Sequence, residues 1–434
     1  AERILPTRAY ARPQHNNHVL SEALGLVYAG AFLGSDDPRS DKWIRGGISE
    51  FESAILQQVD NQGVYSQHSA NYQRMMIQLA MLLDTALRQQ GKSFSPKVME
   101  KLKLATLWMT AQLDTTSGWL PNLGHNDGTL LLPFGSQDYR DYRPTVQAAS
   151  RAFIGIDSLP AGEWNELSAW LGLPPADRLT PFPDSPAIHK VGGTRTWASL
   201  RGARFTKRPA HADQLHAEIW HDGVNLARDA GTYLYNDPAP WQNPFDRTRT
   251  HNTVTVDEKD QMERVSRFLW LDQAQATWLK CENPNEICAS HDGYRRFGIT
   301  HIRSLKYLPP ADFLITDRMV NQKQGQAHAY CLHWLLPDWE YQLDGQSLTL
   351  LRGRTAVLIK IKAWSASKVD TLEPVDVSLL RAGVTLNGTH QDEILGWESN
   401  TYNEKHPALS YHLTYRSSAD ILIETAWTIT NDEN

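Results

Sequence analysis

The chain is predicted to be an α+β, two-domain protein, with helices first and an antiparallel β-sandwich after. Three observations carry this reading. Apolar residues recur at helical spacing in the first part of the chain, strict alternation replaces them after residue 190, and the Pro-rich stretch PPADRLTPFPDSP separates the two patterns. The expected organisation is a helical domain over 1–173, a linker over 174–190 and a β-sandwich over 191–434. A length of 434 residues is more than one ordinary core accommodates, which agrees with two domains.

In chain order, residues 19–33 (VLSEALGLVYAGAFL) read as a buried helix and 43–59 as an amphipathic one, and 69–89 and 96–113 continue the helical period. The loops DNQG (60–63) and NLGHNDG (122–128) punctuate them, so the first half is a helical bundle or an α/α toroid. In the second half, residues 194–205, 214–220, 252–257 and 347–364 alternate or are β-branched, and turns such as HDG and LDG bound them. Helices followed by strands imply two packed layers systems with a cleft where ligands usually bind.

Composition narrows the function classes. Hydrophobic residues make up 41% and charged residues 21% of the chain, as in an ordinary globular protein. No stretch approaches the roughly 20 apolar residues of a membrane span. The first residues, AERILPTRAY, contain no apolar leader core. A net charge of −6 argues against a nucleic-acid partner and requires that any anionic ligand be held by local groups. Three cysteines, Cys281, Cys288 and Cys331, are too few for a disulfide framework and show no metal spacing. The 15 Trp and 15 Tyr suit sugar-stacking platforms, although core packing accounts for most such residues.

Three groups could carry chemistry. Asn16-Asn17-His18 precedes an almost wholly apolar helix; an Asn there caps a helix, and a His beside two amides is also a polar cluster fit for use. Tyr72 opens a helix after a polar loop and either packs or acts. His211, Asp229 and His251 stand at strand edges or turns; two imidazoles and a carboxylate suit a borderline divalent ion such as zinc, and they also form plain structural hydrogen bonds. Arg143 in YRDYRP either lines a cleft or packs on tyrosines, and the basic run 201–209 is either a polyanion contact or a solvated strand and turn.

Taken together the motifs resemble the heparinase II/III-like polysaccharide lyases. NNH (16–18) is similar to that family's Asn-His motif, QGVYSQHSANYQR (62–74) to its Ser-Tyr segment with Gln67 at a usually acidic place, and NLGHNDG to its G-D-N-D-G loop with His125 for Asp. HAD…DAGTYLY…HNTVTVD (211–257) is the most specific match; DQMERVSRFLW (260–270), HIRSLKYL (301–308) and the strand with His328 and His333 continue it. The resemblance implies an incomplete α/α toroid joined to a β-sandwich, and cleavage of uronic-acid-containing polysaccharide by β-elimination in a periplasmic or secreted setting. It implies that Asn17 and His18 neutralise the uronate carboxylate, with His18 also a candidate base. Tyr72 would protonate the departing oxygen or take the C5 proton as well. Arg74, His125 and Arg143 would contact the anionic polysaccharide, and His211, Asp229 and His251 would hold a structural divalent metal, zinc being the first candidate.

Two departures bear on function. Many of these lyases carry a further His two residues before the first metal position, and here that residue is Pro209. The Asn-His motif also lies close to residue 1, where the family's toroid has many preceding helices, so a missing segment or a companion chain is expected to complete it. Pro209 and Gln67 favour a second reading, a catalytically silent carbohydrate-binding protein of the same fold. A glycoside hydrolase would need two carboxylates across a cleft, and the motifs offer Asn, His and Tyr instead. His216 and His221 are expected to face solvent from a strand.

Overall fold

A computed structural model describes residues 1–179, 182–185, 188–323, 325–365 and 375–431. The chain divides into two compact units, Ala1–Ile188 and His189–Asn434. The stretch read as a linker falls partly on residues 180, 181, 186 and 187, which lie outside the described residues. Its beginning is part of the helical unit, where Asp157 N–H donates to the carbonyl of Asp177 at 2.9 Å.

The helical unit contains α1 (Ile4–Ala11), α2 (Asn17–Leu33), α3 (Ser40–Gln58), α4 (Ala70–Arg88), α5 (Pro96–Gln112), α6 (Arg143–Ala149) and α7 (Glu166–Trp170). A π-helical turn, Ser150–Ile154, extends α6. The small residues scattered through 19–33 explain how α2 meets α3. A Cβ on Gly30 would lie 2.7 Å from the carbonyl of Ser40, and one on Gly47 would lie 2.6 Å from that of Ala23, so the two helices touch at their backbones. Helix α4 is buried on nearly every side, and Met76, Ile77 and Leu83 join Leu20, Phe51, Ile55, Met109 and Val146 in one core. Its first turn is fixed by Ser69, whose side chain accepts the N–H of Tyr72 at 3.0 Å. The long periodic segments become helices within a few residues of their expected limits. The short α1, α6 and α7 carry too few turns to show a period.

The second unit is built on an eight-stranded antiparallel sheet. Its strands run in the order Glu340–Asp344, Ser347–Arg352, Thr355–Ser365, Ile421–Asn431, Asp312–Asn321, Ile299–Leu308, Glu286–His291, Ala276–Leu279. A five-stranded sheet has the order Val384–Asn387, Asp376–Arg381, Leu409–Ser417, His328–Leu336, Val254–Val256. One core draws Leu305, Ile315 and Ile423 from the larger sheet and Val254, Leu332 and Leu413 from the smaller, and Trp334 meets Trp427 edge to face at 5.2 Å between ring centres. That is the face-to-face packing of a sandwich. A four-stranded sheet, His189–Gly192, Thr196–Leu200, Ala217–His221 and Val224–Ala227, adds Val191, Ala198 and Ile219 to the same core. The segment 347–364 is two strands and not one: the chain reverses at Gly353, whose φ of +57° suits a residue without Cβ.

Burial places several imidazoles where a proton is unwelcome. Burial, with the positive neighbours His301 and Arg303, holds His291 well below the ordinary imidazole range. Burial beside His333 does the same for His412, and burial lowers His301 despite its 2.6 Å bond to Asp317. Unfolded imidazoles titrate near 6.5. Below that pH the unfolded chain binds protons that the folded chain refuses, and each group then removes up to about 1.4 kcal/mol per pH unit. Asp246, pushed by burial up to about 8, and His251, raised by Asp229, act in the opposite sense with one proton each, but burial also lowers His333 to about 3, so the lowered imidazoles prevail. Calorimetry is expected to show a Tm that falls progressively from pH 6.5 to pH 5; a Tm that rises over that interval would contradict this balance.

Candidate active site and metal centre

In the helical unit the N-terminal ends of α2 and α4 are tied together by the loop between α3 and α4. Asn16 caps α2, its side chain accepting the N–H of His18 at 3.1 Å. Asn17 N–H donates to the side-chain carbonyl of Gln67 at 3.0 Å, and the hydroxyl of Ser66 donates to the carbonyl of His15 at 3.0 Å. Gln67, which stands where an acidic residue is usual, therefore binds the first turn of α2. Asn17 is half-buried and His18 exposed.

Three residues after Ser69, which caps α4, Tyr72 points its hydroxyl at Asp127, donating to Oδ2 at 2.9 Å. Asp127 is held in place: its Oδ1 accepts the side-chain amide of Asn71 at 3.1 Å and the N–H of Thr129 at 3.0 Å. Asn71 in turn accepts from Arg74 at 2.8 Å and from the Tyr139 hydroxyl at 2.9 Å. Sequence reading singled out the loop carrying Asp127 but not that carboxylate; its spacing from Tyr72 in the chain gives no hint that the two meet. The Gly-containing NLGHNDG motif was the available signal.

The three residues expected to contact substrate occupy different settings. Arg74 is fully buried, donates to the carbonyl of Tyr139 at 2.6 Å and lies 4.4 and 4.3 Å from the rings of Tyr139 and Tyr142. Arg143 is engaged by Asp141 through two nitrogens and sits 4.5 Å from the Trp164 ring. His125 is buried, and its carbonyl accepts the Ser69 hydroxyl at 2.5 Å. Arg74 is thus a strut of the Asn71–Asp127 network.

In the second unit, His211, Asp229 and His251 are buried together, each offering one ligand atom within 4.8 Å of the others. Asp229 follows the strand Val224–Ala227, and its Oδ1 accepts the N–H of Gly231 at 2.8 Å. His251 follows a short 3₁₀ turn, Thr248–Thr250, with its Nδ1 3.0 Å from Asp229 Oδ2. The loop bearing His211 is pinned to that turn: Ala212 N–H donates to the carbonyl of Asp246, and the Thr248 hydroxyl to that of Ala212, both at 2.9 Å. Burial would push the Asp229 carboxyl up, but the charge and hydrogen bond of His251, with His216 and His211 nearby, hold it below the usual carboxylate range. His251 is raised: burial opposes its charge, and Asp229 more than compensates. His251 Nε2 is buried and makes no hydrogen bond among the described residues. Two imidazoles, a carboxylate and a buried uncommitted nitrogen fit a borderline divalent ion.

His216 and His221 do not face solvent as expected. They are 1% and 7% exposed, because both faces of the strand Ala217–His221, which His216 immediately precedes, are covered. His216 Nε2 lies 3.7 Å from Asp229 Oδ2, and His221 bonds the Thr196 hydroxyl at 2.7 Å. The basic run is partly internal as well, since Arg201 pairs with the fully buried Asp213 at 2.6 Å.

Comparison with known proteins adds the lineage. The family described as Heparinase II/III-like, C-terminal, matches residues 194–422, more than half of the chain. A heparin-sulfate lyase of Bacteroides stercoris is 30% identical over 139 residues, which is 31% of this chain and 19% of that protein. Among solved structures, a heparinase III superposes with a TM-score of 0.71 at 15% identity, covering 96% of this chain and 60% of the other. A heparan sulfate lyase from Pedobacter heparinus gives 0.68 at 16% identity, covering 96% and 61%. The chain therefore spans about three fifths of the length of these structures and shares their fold.

The buried triad is expected to take up a divalent ion from a zinc-containing buffer, with a rise in Tm that a strong chelator reverses. His251→Ala is expected to lose both the ion, read by elemental analysis, and the thermal shift; a variant that keeps one bound equivalent would remove His251 from the site.

Proposed function

Since the chain belongs to the heparinase II/III-like family, we propose that it is a polysaccharide lyase that cleaves uronic-acid-containing chains by β-elimination. The observation that carries this reading is Tyr72, whose hydroxyl is aimed and held by Asp127 at the start of a buried helix, at the end of the unit where Gln67 fastens the first turn of α2. The seven helices are read as part of an α/α toroid. A periplasmic or secreted location suits a polymeric substrate of this class.

The chemistry asks for these residue types. The C5 proton of a uronate is weakly acidic, because its removal builds charge on a group that is already anionic. Asn17 would donate to that carboxylate, stabilising the enolate-like transition state as an oxyanion hole does. One such donor is worth about 3–4 kcal/mol. The contact with Asp127 supports the proton-donor role for Tyr72. The phenol donates to Asp127 Oδ2 at 2.9 Å, and the O–H so held would be passed to the leaving oxygen. His18, exposed at the α2 N-terminus, would then accept the C5 proton. Each proton has a donor and an acceptor: C5 to imidazole, phenol to glycosidic oxygen. A divalent ion held by His211, Asp229 and His251 would supply fixed charge and cross-linking to the loops of the second unit.

Turnover is read by ultraviolet absorbance of the unsaturated uronate product across a panel of heparan-sulfate-like, alginate-like and bacterial exopolysaccharide polymers. Tyr72→Phe is expected to abolish turnover with an unchanged melting profile, and Asn17→Ala to lower kcat by about 10²–10³-fold. Asp127→Ala, which frees the phenol, is expected to lower kcat with little change in KM. Retained turnover in Tyr72→Phe would remove Tyr72 from its role. Absence of unsaturated product on every polymer, with binding preserved, would favour the silent carbohydrate-binding protein to which Pro209 points.

A further inference from the structure

We propose that His216 is a positioning residue for the metal centre, barred from ligation by the backbone of Asn252 and holding a proton toward the carboxylates of Asp229 and Glu218. The assignment rests on the reading of His211, Asp229 and His251 as metal-holding residues.

The argument is one of tautomers. Asn252 N–H donates to His216 Nδ1 at 2.9 Å. A backbone N–H cannot reverse its role, so Nδ1 presents a lone pair and the neutral ring carries its proton on Nε2. Ligation through Nε2 requires the other tautomer, with the proton on Nδ1, and that would set N–H against N–H. The same Nε2 lies 3.7 Å from Asp229 Oδ2 and 3.6 Å from Glu218 Oε1. All three side chains are buried.

Glu218 is arranged to receive that proton. Its Oε2 already accepts the Trp220 indole N–H at 2.9 Å and the Asn225 amide at 2.8 Å. Its Oε1, like His216 Nε2, is buried and makes no hydrogen bond among the described residues. The ring is therefore an N–H placed between two buried carboxylates that would otherwise repel each other without water to screen them. It also bears on the triad directly, since Asp229 Oδ2 is the oxygen facing His251 Nδ1, and the His216 ring stands edge-on to the His251 ring. Fixing that oxygen fixes the orientation in which His251 presents Nε2. Partners of this kind typically change metal affinity by about 10–100-fold when removed.

The test uses protein labelled with ¹⁵N at histidine, the His216 signals being identified by their loss in His216→Gln. The nitrogen shifts are expected to show the Nε2–H tautomer both in chelator-stripped protein and after zinc is added. Zinc affinity, measured by competition with a chromophoric chelator, is expected to fall about 10–100-fold in His216→Leu and to stay within about threefold of wild type in His216→Gln, which restores a donor. The cobalt-substituted absorption spectrum is expected to be unchanged in His216→Leu, because no ligand is lost. An Nδ1–H tautomer, an altered cobalt spectrum or an unchanged zinc affinity in a His216→Leu protein that melts as wild type would each overturn the proposal while leaving the triad in place. Absence of zinc uptake by the wild type would overturn the metal reading itself and this assignment with it.

Discussion

Asn252 cannot be satisfied by a strand ladder, and the second unit is organised around that constraint. It is fully buried two residues before the strand Val254–Val256 begins, so its backbone and amide need partners elsewhere. Its side-chain amide donates to the carbonyls of Ala217 at 2.9 Å and Arg228 at 3.1 Å, while its Oδ1 accepts the N–H of Leu335 at 2.7 Å. Its carbonyl receives the guanidinium of Arg303, itself paired with the buried Asp317. One residue thus joins the four-stranded sheet, the five-stranded sheet and the interior of the eight-stranded sheet. Leaving any of these groups without a partner would cost about 1–3 kcal/mol. Its backbone N–H faces His216 Nδ1, and its side chain makes two donations and one acceptance, which an amide can supply and a hydroxyl or carboxylate cannot.

The helical unit solves a related problem on α4. Gln73 and Gln78 are buried on a helix whose neighbours are mostly apolar, which by pattern alone looks like a fault. Each is satisfied by a loop. Gln73 accepts the N–H of Tyr65 at 2.9 Å and donates to the carbonyl of Gly63 at 2.9 Å. Gln78 accepts the N–H of Leu131 and donates to the Thr145 hydroxyl, both at 3.0 Å. The buried amides hold irregular chain on a rigid helix, and the same loops carry Gln67 and Asp127. Precision at Tyr72 comes from this second layer of contacts.

How much of this was readable from sequence depended on range. Helices of four or five turns and alternating strands announce themselves through local periodicity, so α2 to α5 and strands within 194–205, 214–220, 252–257 and 347–364 were visible. The α2 cap was also local: Asn16 accepts from a residue two positions on. Asp127 was not visible in its role, because its partner lies 55 residues away. His216 was misjudged for a different reason. Alternation separates two faces of a strand but does not say whether the second face is covered, and here the polar face His216–Glu218–Trp220 is packed against the triad. The residue types of His211, Asp229 and His251 suggested a divalent-ion set, but their meeting in space was not readable, since they are separated by turns whose geometry no spacing rule fixes.

The charge inventory bears on how an anionic sugar would be handled. Several arginines that could have served a polyanion are spent internally: Arg74 on Asn71 and Tyr139, Arg143 on Asp141, Arg201 on Asp213. With a net charge of −6, broad attraction is not available either. In the proposed reaction, recognition of the uronate carboxylate would fall to neutral donors such as the Asn17 amide. Such donors bind a resting carboxylate weakly beside water and gain most when charge accumulates on it during C5 deprotonation. An arginine fork would hold the ground state nearly as tightly as the transition state and so accelerate less. A sparing use of positive charge at the proposed site would therefore suit a lyase acting on a carboxylate better than a protein built to retain its ligand.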